Sequence, residues 1–155
     1  MTEDELVKKT LETSKTIAMV GVSSIKKEIS TNIRRRPSII VMKYMQEFGY
    51  RVIPVNPFSA GEKIHGETIV AKLNDIKIPV DIVDVFRPSK ETPMIAEDAV
   101  KIGAKVFWLQ YGIENDEAKQ TVESKNIFYV SNKCIKQEYQ RLFLKVSPVF
   151  PALKN

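Results

Sequence analysis

The sequence contains little of what would hold a disulfide, a metal or a membrane anchor. It has one cysteine, Cys134, and one histidine, His65, among 155 residues. A single cysteine excludes an intramolecular disulfide, and there is no C-x-x-C pair of the kind that binds zinc. No apolar run approaches the length of a membrane-spanning helix, and residues 1–15 are too polar for a secretory signal. These features predict a soluble cytoplasmic protein without a metal or a membrane partner.

The charged residues show a modest excess of positive charge. The 24 Lys and Arg against 19 Asp and Glu give a formal net charge of +5, which favours anionic partners. The aromatic residues lie mostly inside apolar runs rather than between basic residues, so the pattern does not favour nucleic acid. The length and an apolar content of 43% predict one domain over residues 1–155.

Short apolar runs alternate with amphipathic segments along the chain. A first helix is predicted over about residues 2–13, because Thr2 and Glu5 have capping-box spacing. This helix has one narrow apolar stripe and is expected to lie on the surface of the protein. Strands are predicted over residues 16–22, 50–57, 80–86, 105–112 and 127–131. Helices are predicted from about Pro37, from Thr92 as an N-cap, from Asn115 as an N-cap and from Ile135, with a helical turn near residues 70–73.

This alternation predicts the fold class. Strands and helices joined by short or medium connections form right-handed crossovers, so we expect an α/β, Rossmann-like, three-layer architecture. Its parallel sheet would have about five strands with helices on both faces. Two prolines in residues 147–155 predict an irregular tail.

Ligands of such sheets bind outside the carboxyl ends of the strands. Gly21 follows the first predicted strand, but Ser23 stands where a G-x-G-x-x-G fingerprint would have its second glycine. The second strand ends at Asn56 rather than at the Asp or Glu that binds the ribose of NAD. The sequence therefore disfavours NAD as the ligand.

Basic residues dominate the segment that follows Gly21. The segment contains Lys26, Lys27 and the run Arg34–Arg36 but only one acidic residue, Glu28. The arginines precede a predicted helix amino terminus, where the helix dipole already carries partial positive charge, and a polyphosphate ligand would relieve that conflict. Alternatively, the cations point into water at little cost. The pattern by itself leaves both interpretations open.

Several longer segments of the chain resemble a known family. The segments "IAMVGVSS", "RPS" at residues 36–38, "YMQEFGYRVIPVNP", "IHGE", "VDIVDVFRPS", "GAKVFWLQYGI" and "SNKCIKQEYQRL" resemble, in this order, the small stand-alone CoA-binding proteins. Those proteins are similar to the CoA-binding domain of the succinyl-CoA ligase alpha subunit. The resemblance covers roughly residues 13–142 and implies that coenzyme A, or an acyl-CoA, lies across the carboxyl edge of the sheet.

The resemblance also implies which residues contact the coenzyme: Gly21, Val22, Ser23, Ser24, Arg36, Ser38, Asn56, Pro57, Lys63, Val85, Phe86 and Arg87. Residues 21–24 would line its phosphate-bearing part, with Arg36 and Ser38 close enough to help neutralise it. Asn56 and Pro57 would lie beside the adenosine.

Lys63 would be available for the 3′-phosphate. Val85, Phe86 and Arg87 would form a third wall, with Phe86 packing and Arg87 binding phosphate. The sequence departs from the family at Lys133 and Tyr139, where many relatives carry arginine and histidine.

The implied function is binding without catalysis. The ligase relatives transfer phosphoryl groups through a histidine in a second domain, which a chain of this length does not include. We also find no G-x-S-x-G elbow and no nucleophile beside an evident base. We therefore expect a carrier, a sensor or a partner of a larger enzyme, acting with a protein partner or as a homo-oligomer.

Two alternatives belong to other classes of protein. One is an NADP-dependent oxidoreductase that uses the same strand ends, with the arginines on the 2′-phosphate. The other is a basic interaction module for RNA or acidic proteins, whose binding would depend strongly on salt. Among the residues without an assigned role, Trp108 and Cys134 are expected in the core and His65 in an exposed loop.

Overall fold

The computed structural model describes residues 1–23 and 37–145. The helices are α1 (Glu3–Thr13), α2 (Pro37–Glu47), α3 (Thr92–Lys101), α4 (Asp116–Glu123) and α5 (Ile135–Tyr139). The last of these continues as a π-helical turn, Gln140–Leu144. The strands are β1 (Thr16–Val20), β2 (Arg51–Val55), β3 (Lys63–Ile64), β4 (Glu67–Thr68), β5 (Ile82–Val85), β6 (Val106–Leu109) and β7 (Phe128–Val130). Short 3-10 turns cover Leu73–Asp75 and Ser89–Glu91.

The main sheet has five parallel strands in the order β2-β1-β5-β6-β7. In the register of β1, Ala18 lies opposite Ile53 of β2 on one side and Val83 of β5 on the other. The chain leaves β1 toward β2 and later returns to β5 on the opposite side of β1. The strand order therefore reverses beside β1, where a ligand crevice forms in sheets of this kind.

Helices cover both faces of this sheet. On one face, α1, α2 and α5 contribute Val7, Met42 and Ile135 to a buried cluster with Trp108. On the other face, α3 and α4 contribute residues such as Ala96 to a second buried cluster. The three-layer, Rossmann-like α/β fold predicted from the alternating pattern is confirmed. No helix in the described ranges combines the length and the apolar character needed to span a membrane.

The first helix has the predicted cap and lies on the surface of the protein. The Glu5 N–H donates to Thr2 Oγ1 over 3.1 Å, and the Thr2 N–H donates to Glu5 Oε1 over 2.7 Å, which together complete a capping box. Most residues of this helix are exposed, as expected of a helix on the surface, whereas Val7 and Leu11 of its apolar stripe are buried against the core. The Tyr50 hydroxyl also donates to the Leu11 carbonyl, which ties the end of α1 to the start of β2.

The helix starts predicted at Pro37 and Ile135 are confirmed, and of the two other predicted N-caps one is right and one is wrong. The Asn115 cap is confirmed, since its side-chain oxygen accepts from the Ala118 N–H over 2.9 Å. The Thr92 cap is wrong, because a 3-10 turn precedes the helix and the Thr92 hydroxyl instead donates to the Ser89 carbonyl over 2.7 Å. The turn predicted near residues 70–73 lies slightly later, at Leu73–Asp75.

The loop after β2 contains a small antiparallel hairpin that the sequence pattern did not predict. Its strands β3 and β4 are joined by His65 and Gly66, which both have positive φ values. Two-residue strands are too short to show a period, so only the turn residues could have indicated them. His65 is half-buried in this turn rather than exposed as expected.

Candidate functional site

The ends of three neighbouring strands meet at Gly21, which directly follows β1. Its φ is +104°, and its N–H donates to the Val55 carbonyl of β2 over 2.8 Å. A Cβ atom at this position would lie 2.8 Å from the Phe86 carbonyl oxygen and 3.1 Å from Arg87 Cδ, just beyond β5. A side chain larger than glycine would therefore push the ends of β1 and β5 apart.

A cleft of about 230 Å³ opens beside this turn, on the face of the sheet that α3 covers. The residues that line it come from the ends of β1 and β2, the segment around Leu73, the loop after β5, and one side of α3 with the turn before it. They are Val20, Gly21, Val55, Asn56, Pro57, Phe58, Ala71, Lys72, Leu73, Arg87, Glu91, Ile95 and Asp98. The cleft thus combines apolar walls with a small number of charged and polar groups, as ligand sites usually do.

An ion pair between Arg87 and Glu91 is the main charged feature of the cleft. Arg87 Nε donates to Glu91 Oε1 and Arg87 Nη2 donates to Glu91 Oε2, each over 2.9 Å. These hydrogen bonds raise the pKa of the Arg87 guanidinium and lower the pKa of the Glu91 carboxyl. Both groups are therefore charged near neutral pH, although both are partly exposed and solvent weakens the pair.

The formal charges that line the described cleft cancel. Lys72 and Arg87 are cationic, whereas Glu91 and Asp98 are carboxylates. A polyanionic ligand would therefore find specific donors here rather than a strongly positive field.

Asn56 shapes the turn that follows β2. Its side-chain oxygen accepts from the Phe58 N–H over 2.8 Å, and its own N–H donates to the Val70 carbonyl over 2.8 Å. The structural role considered for Asn-Pro turns is therefore present, and it uses the oxygen of the side-chain amide. The NH₂ end of that amide is the part suited to a ligand in the cleft.

The predicted site residues do not all come together. The cleft is lined by Gly21, Asn56, Pro57 and Arg87. Val22, Ser23, Ser38 and Val85 are buried, Phe86 packs against the core, and Lys63 is exposed on β3, outside the lining of the cleft. Ser24 and Arg36, like the other basic residues between positions 26 and 36, lie outside the described residues.

Other lining residues had no predicted role. Glu91, Ile95 and Asp98 are spaced at i, i+4 and i+7, which places them along one side of α3 and the turn before it. That spacing is visible in the sequence, but it does not show which side of the helix borders a cleft. Lys72 and Leu73 belong to an irregular segment, where no pattern indicates which way a side chain points.

The predicted roles of Trp108 and Cys134 can be compared with their positions. Trp108 is fully buried, as predicted, and its indole N–H donates to the Lys133 carbonyl over 2.7 Å. Cys134 is only partly buried and packs against the same cluster as Trp108. That cluster lies on the face of α1, α2 and α5, so Cys134 and the cleft are on opposite sides of the sheet.

Comparison with known proteins identifies the family. The family model described as a CoA binding domain matches residues 15–140. The chain belongs to this CoA binding domain family. It is also 39% identical over 130 residues to the YneT protein of Bacillus subtilis (strain 168), which covers 84% of this chain and 89% of YneT. The resemblance to CoA-binding proteins is thereby confirmed.

Solved structures of similar size share the fold of this family member. The protein called cell-free ID.343 from Thermus thermophilus has a TM-score of 0.82 and 36% identity, covering 92% of this chain and all of that one. A hypothetical protein from Pyrococcus horikoshii OT3 has a TM-score of 0.81 and 36% identity, covering 91% and 92%.

A larger enzyme contains a similar fold. The dinucleotide forming acetyl-coenzyme A synthetase 1 of Ca. Korarchaeum cryptofilum has a TM-score of 0.59 at 21% identity. The match covers 76% of this chain but 26% of the synthetase. At this identity the likeness concerns the fold alone.

Proposed function

We propose that this protein binds coenzyme A or an acyl-CoA across the carboxyl-end edge of its sheet. In this proposal it acts as a carrier, a sensor or a partner of a larger enzyme and catalyses no reaction of its own. The observation that carries the proposal is the cleft in which Gly21, Asn56 and Arg87 converge from three strand ends. The chain's membership of the CoA binding domain family supports the identity of the ligand.

The size of the cleft indicates how much of the ligand it would hold. Pockets that enclose drug-sized ligands measure about 300–1,000 Å³, and this cleft of about 230 Å³ is smaller. It would take a planar group such as adenine between the apolar side chains of Val55, Leu73 and Ile95. The rest of the coenzyme would extend along the strand ends, past Gly21.

The charges indicate where the phosphates would be neutralised. Because the described lining residues have no net formal charge, Arg87 alone would not balance the phosphates of coenzyme A. The basic residues at positions 26, 27 and 34–36 follow Gly21 closely in sequence and would supply the remaining positive charge. Ser24 and Arg36 keep their predicted roles as part of this proposal.

The absence of a reaction in this proposal is supported by the position of the thiol. Cys134 packs on the face of the sheet opposite to the cleft, so it is not placed to attack a ligand bound there. A carrier or sensor needs only the binding site.

Isothermal titration with CoA, dephospho-CoA and NADP tests the proposal. We expect saturable binding with CoA ranked first, and an Arg87→Met variant that binds CoA roughly tenfold to a hundredfold more weakly, as expected for a lost hydrogen-bonded charge. Arg51→Met is the matched control, because Arg51 pairs with Glu67 over 3.2 Å outside the cleft and the substitution also leaves a glutamate unpaired. No heat with CoA at about millimolar concentration, or NADP ranked first, would contradict the proposal.

A further inference from the structure

The Glu91 carboxylate forms hydrogen bonds with one edge of the Arg87 guanidinium, the group that is expected to bind a phosphate. Its carboxylate accepts from Nε and Nη2 of Arg87, over 2.9 Å in both cases. This side-on, bidentate arrangement uses one edge of the planar group. The N–H groups on Nη1 and on the far side of Nη2 form a second edge, which has the geometry to bind a phosphate by two parallel hydrogen bonds.

Contacts restrain the Arg87 side chain at both of its ends. Its Cδ lies against the Gly21 turn, and its guanidinium is held by Glu91. Glu91 is itself fixed by the backbone, since it ends the 3-10 turn before α3 and its N–H donates to the Pro88 carbonyl over 2.9 Å. A free arginine would lose much rotamer freedom on binding a phosphate, whereas an arginine held in this way has already lost it.

We propose that Glu91 is a positioning residue, which presents the free edge of Arg87 to a phosphate of the bound coenzyme. This inference rests on the proposed function. The competing interpretation is that Glu91 neutralises Arg87 and must be displaced by the ligand. Positioning is favoured because the Glu91 carboxylate occupies the edge formed by Nε and Nη2 and does not occupy the second edge, formed by Nη1 and Nη2. In addition, both side chains are partly exposed, so water screens the repulsion between the carboxylate and a phosphate.

A substitution at Glu91 distinguishes the two interpretations by the sign of its effect. Glu91→Gln keeps the size of the side chain but loses its charge and one of its two acceptors. If Glu91 positions Arg87, CoA binds this variant roughly threefold to tenfold more weakly, as expected for a weakened charged hydrogen bond. If Glu91 competes with the ligand, CoA binds more tightly, and that result would overturn the inference. Glu67→Gln, in the Arg51 pair outside the cleft, is the matched control and should leave affinity unchanged.

A double-mutant cycle shows whether Glu91 acts through Arg87. In an Arg87→Met background, Glu91→Gln should cause no further loss of affinity, whereas a general structural effect of Glu91 would add to the loss. Unchanged binding in the single variant would also sink the inference.

An NMR readout without ligand separates this inference from the proposed function. The Arg87 Nε–H signal should exchange slowly with water in the wild type and rapidly in Glu91→Gln. If CoA does not bind the wild type, the proposed function fails, and this signal still reports whether Glu91 fixes Arg87. Rapid exchange in the wild type would exclude the positioning role directly.

Discussion

Asp84 is a carboxyl group in the interior of the central sheet. It is fully buried in β5, and the register places Met19 of β1 and Trp108 of β6 beside it. Among the described residues, neither of its carboxyl oxygens has a hydrogen-bond partner. Burial raises the pKa of Asp84 well above its usual range, because the charged form would lose its hydration without compensation.

The stability of the protein should therefore depend on pH through Asp84. Its pKa in the folded state lies above the value of about 3.9 in the unfolded chain, so the folded state holds the proton more tightly. Its contribution is fully present below the unfolded pKa and is lost as the pH rises toward the folded pKa, at up to about 1.4 kcal/mol per pH unit. Asp84→Asn removes this dependence.

Urea unfolding of the wild type and Asp84→Asn at several values between about pH 5 and about pH 8 measures the effect. The free energy of unfolding of Asp84→Asn minus that of the wild type should increase as the pH rises. Asp116→Asn, at an exposed position in the first turn of α4, serves as the control and should show no such gain. Parallel pH profiles for the wild type and Asp84→Asn would contradict the account.

Of the residues that line the cleft, the sequence predicted several that lie at or just after strand ends. Gly21, Asn56 and Arg87 agree with the rule that ligands meet the carboxyl ends of parallel strands. Glu91 and Asp98 were not predicted, because their position depends on how α3 is rotated against the sheet. The sequence pattern shows which side of a helix is apolar but not which polar residue at its border reaches a cleft.

At the scale of secondary-structure elements, α1 is a surface helix that is attached to the core through its apolar stripe. Val7 and Leu11 are buried against the cluster formed with α2 and α5. Arg141, after α5, also forms a bidentate pair with Asp4 at distances of 2.9 and 2.8 Å. The helix is therefore part of the core-forming layer rather than a peripheral attachment.

Leu11→Ala and Leu6→Ala should accordingly differ in cost. Leu11 is 2% exposed, so removing its side chain should lower the free energy of unfolding by about 2–5 kcal/mol. Leu6, in the first turn of the same helix, is 36% exposed, and its loss should cost less than about 1 kcal/mol. Urea denaturation of both variants measures the difference. Equal costs would mean that α1 does not pack in solution as it does in the structure.

Elements with strong patterns were predicted well, and elements without them were not. The main strands are apolar runs closed by turn residues, and each lies within its predicted range. The hairpin β3–β4 was missed because two residues show no alternation, and the Thr92 cap was misassigned because the turn Ser89–Glu91 already leads into the helix. In both cases local backbone hydrogen bonds, which the sequence pattern does not show, determined the structure.

At the scale of the whole molecule, topology determines where a ligand can bind. Helices cover both faces of the sheet, so a ligand reaches the central strands most readily at their ends. The order β2-β1-β5-β6-β7 reverses beside β1, so that α2 and α3, the helices that follow β1 and β5, lie on different faces of the sheet and space opens at the strand ends between them. This arrangement was predictable because alternating strands and helices permit few topologies.

The most direct test of the account is a titration of the isotope-labelled protein with CoA, followed through backbone amide signals by NMR. The account predicts saturable shifts concentrated at the carboxyl-end edge, with the amides of Gly21, Phe58 and Arg87 among those that move most. Amides at the opposite edge, such as that of Arg51, should hold their positions. Shifts confined to that opposite edge, or no shift at saturating CoA, would contradict it.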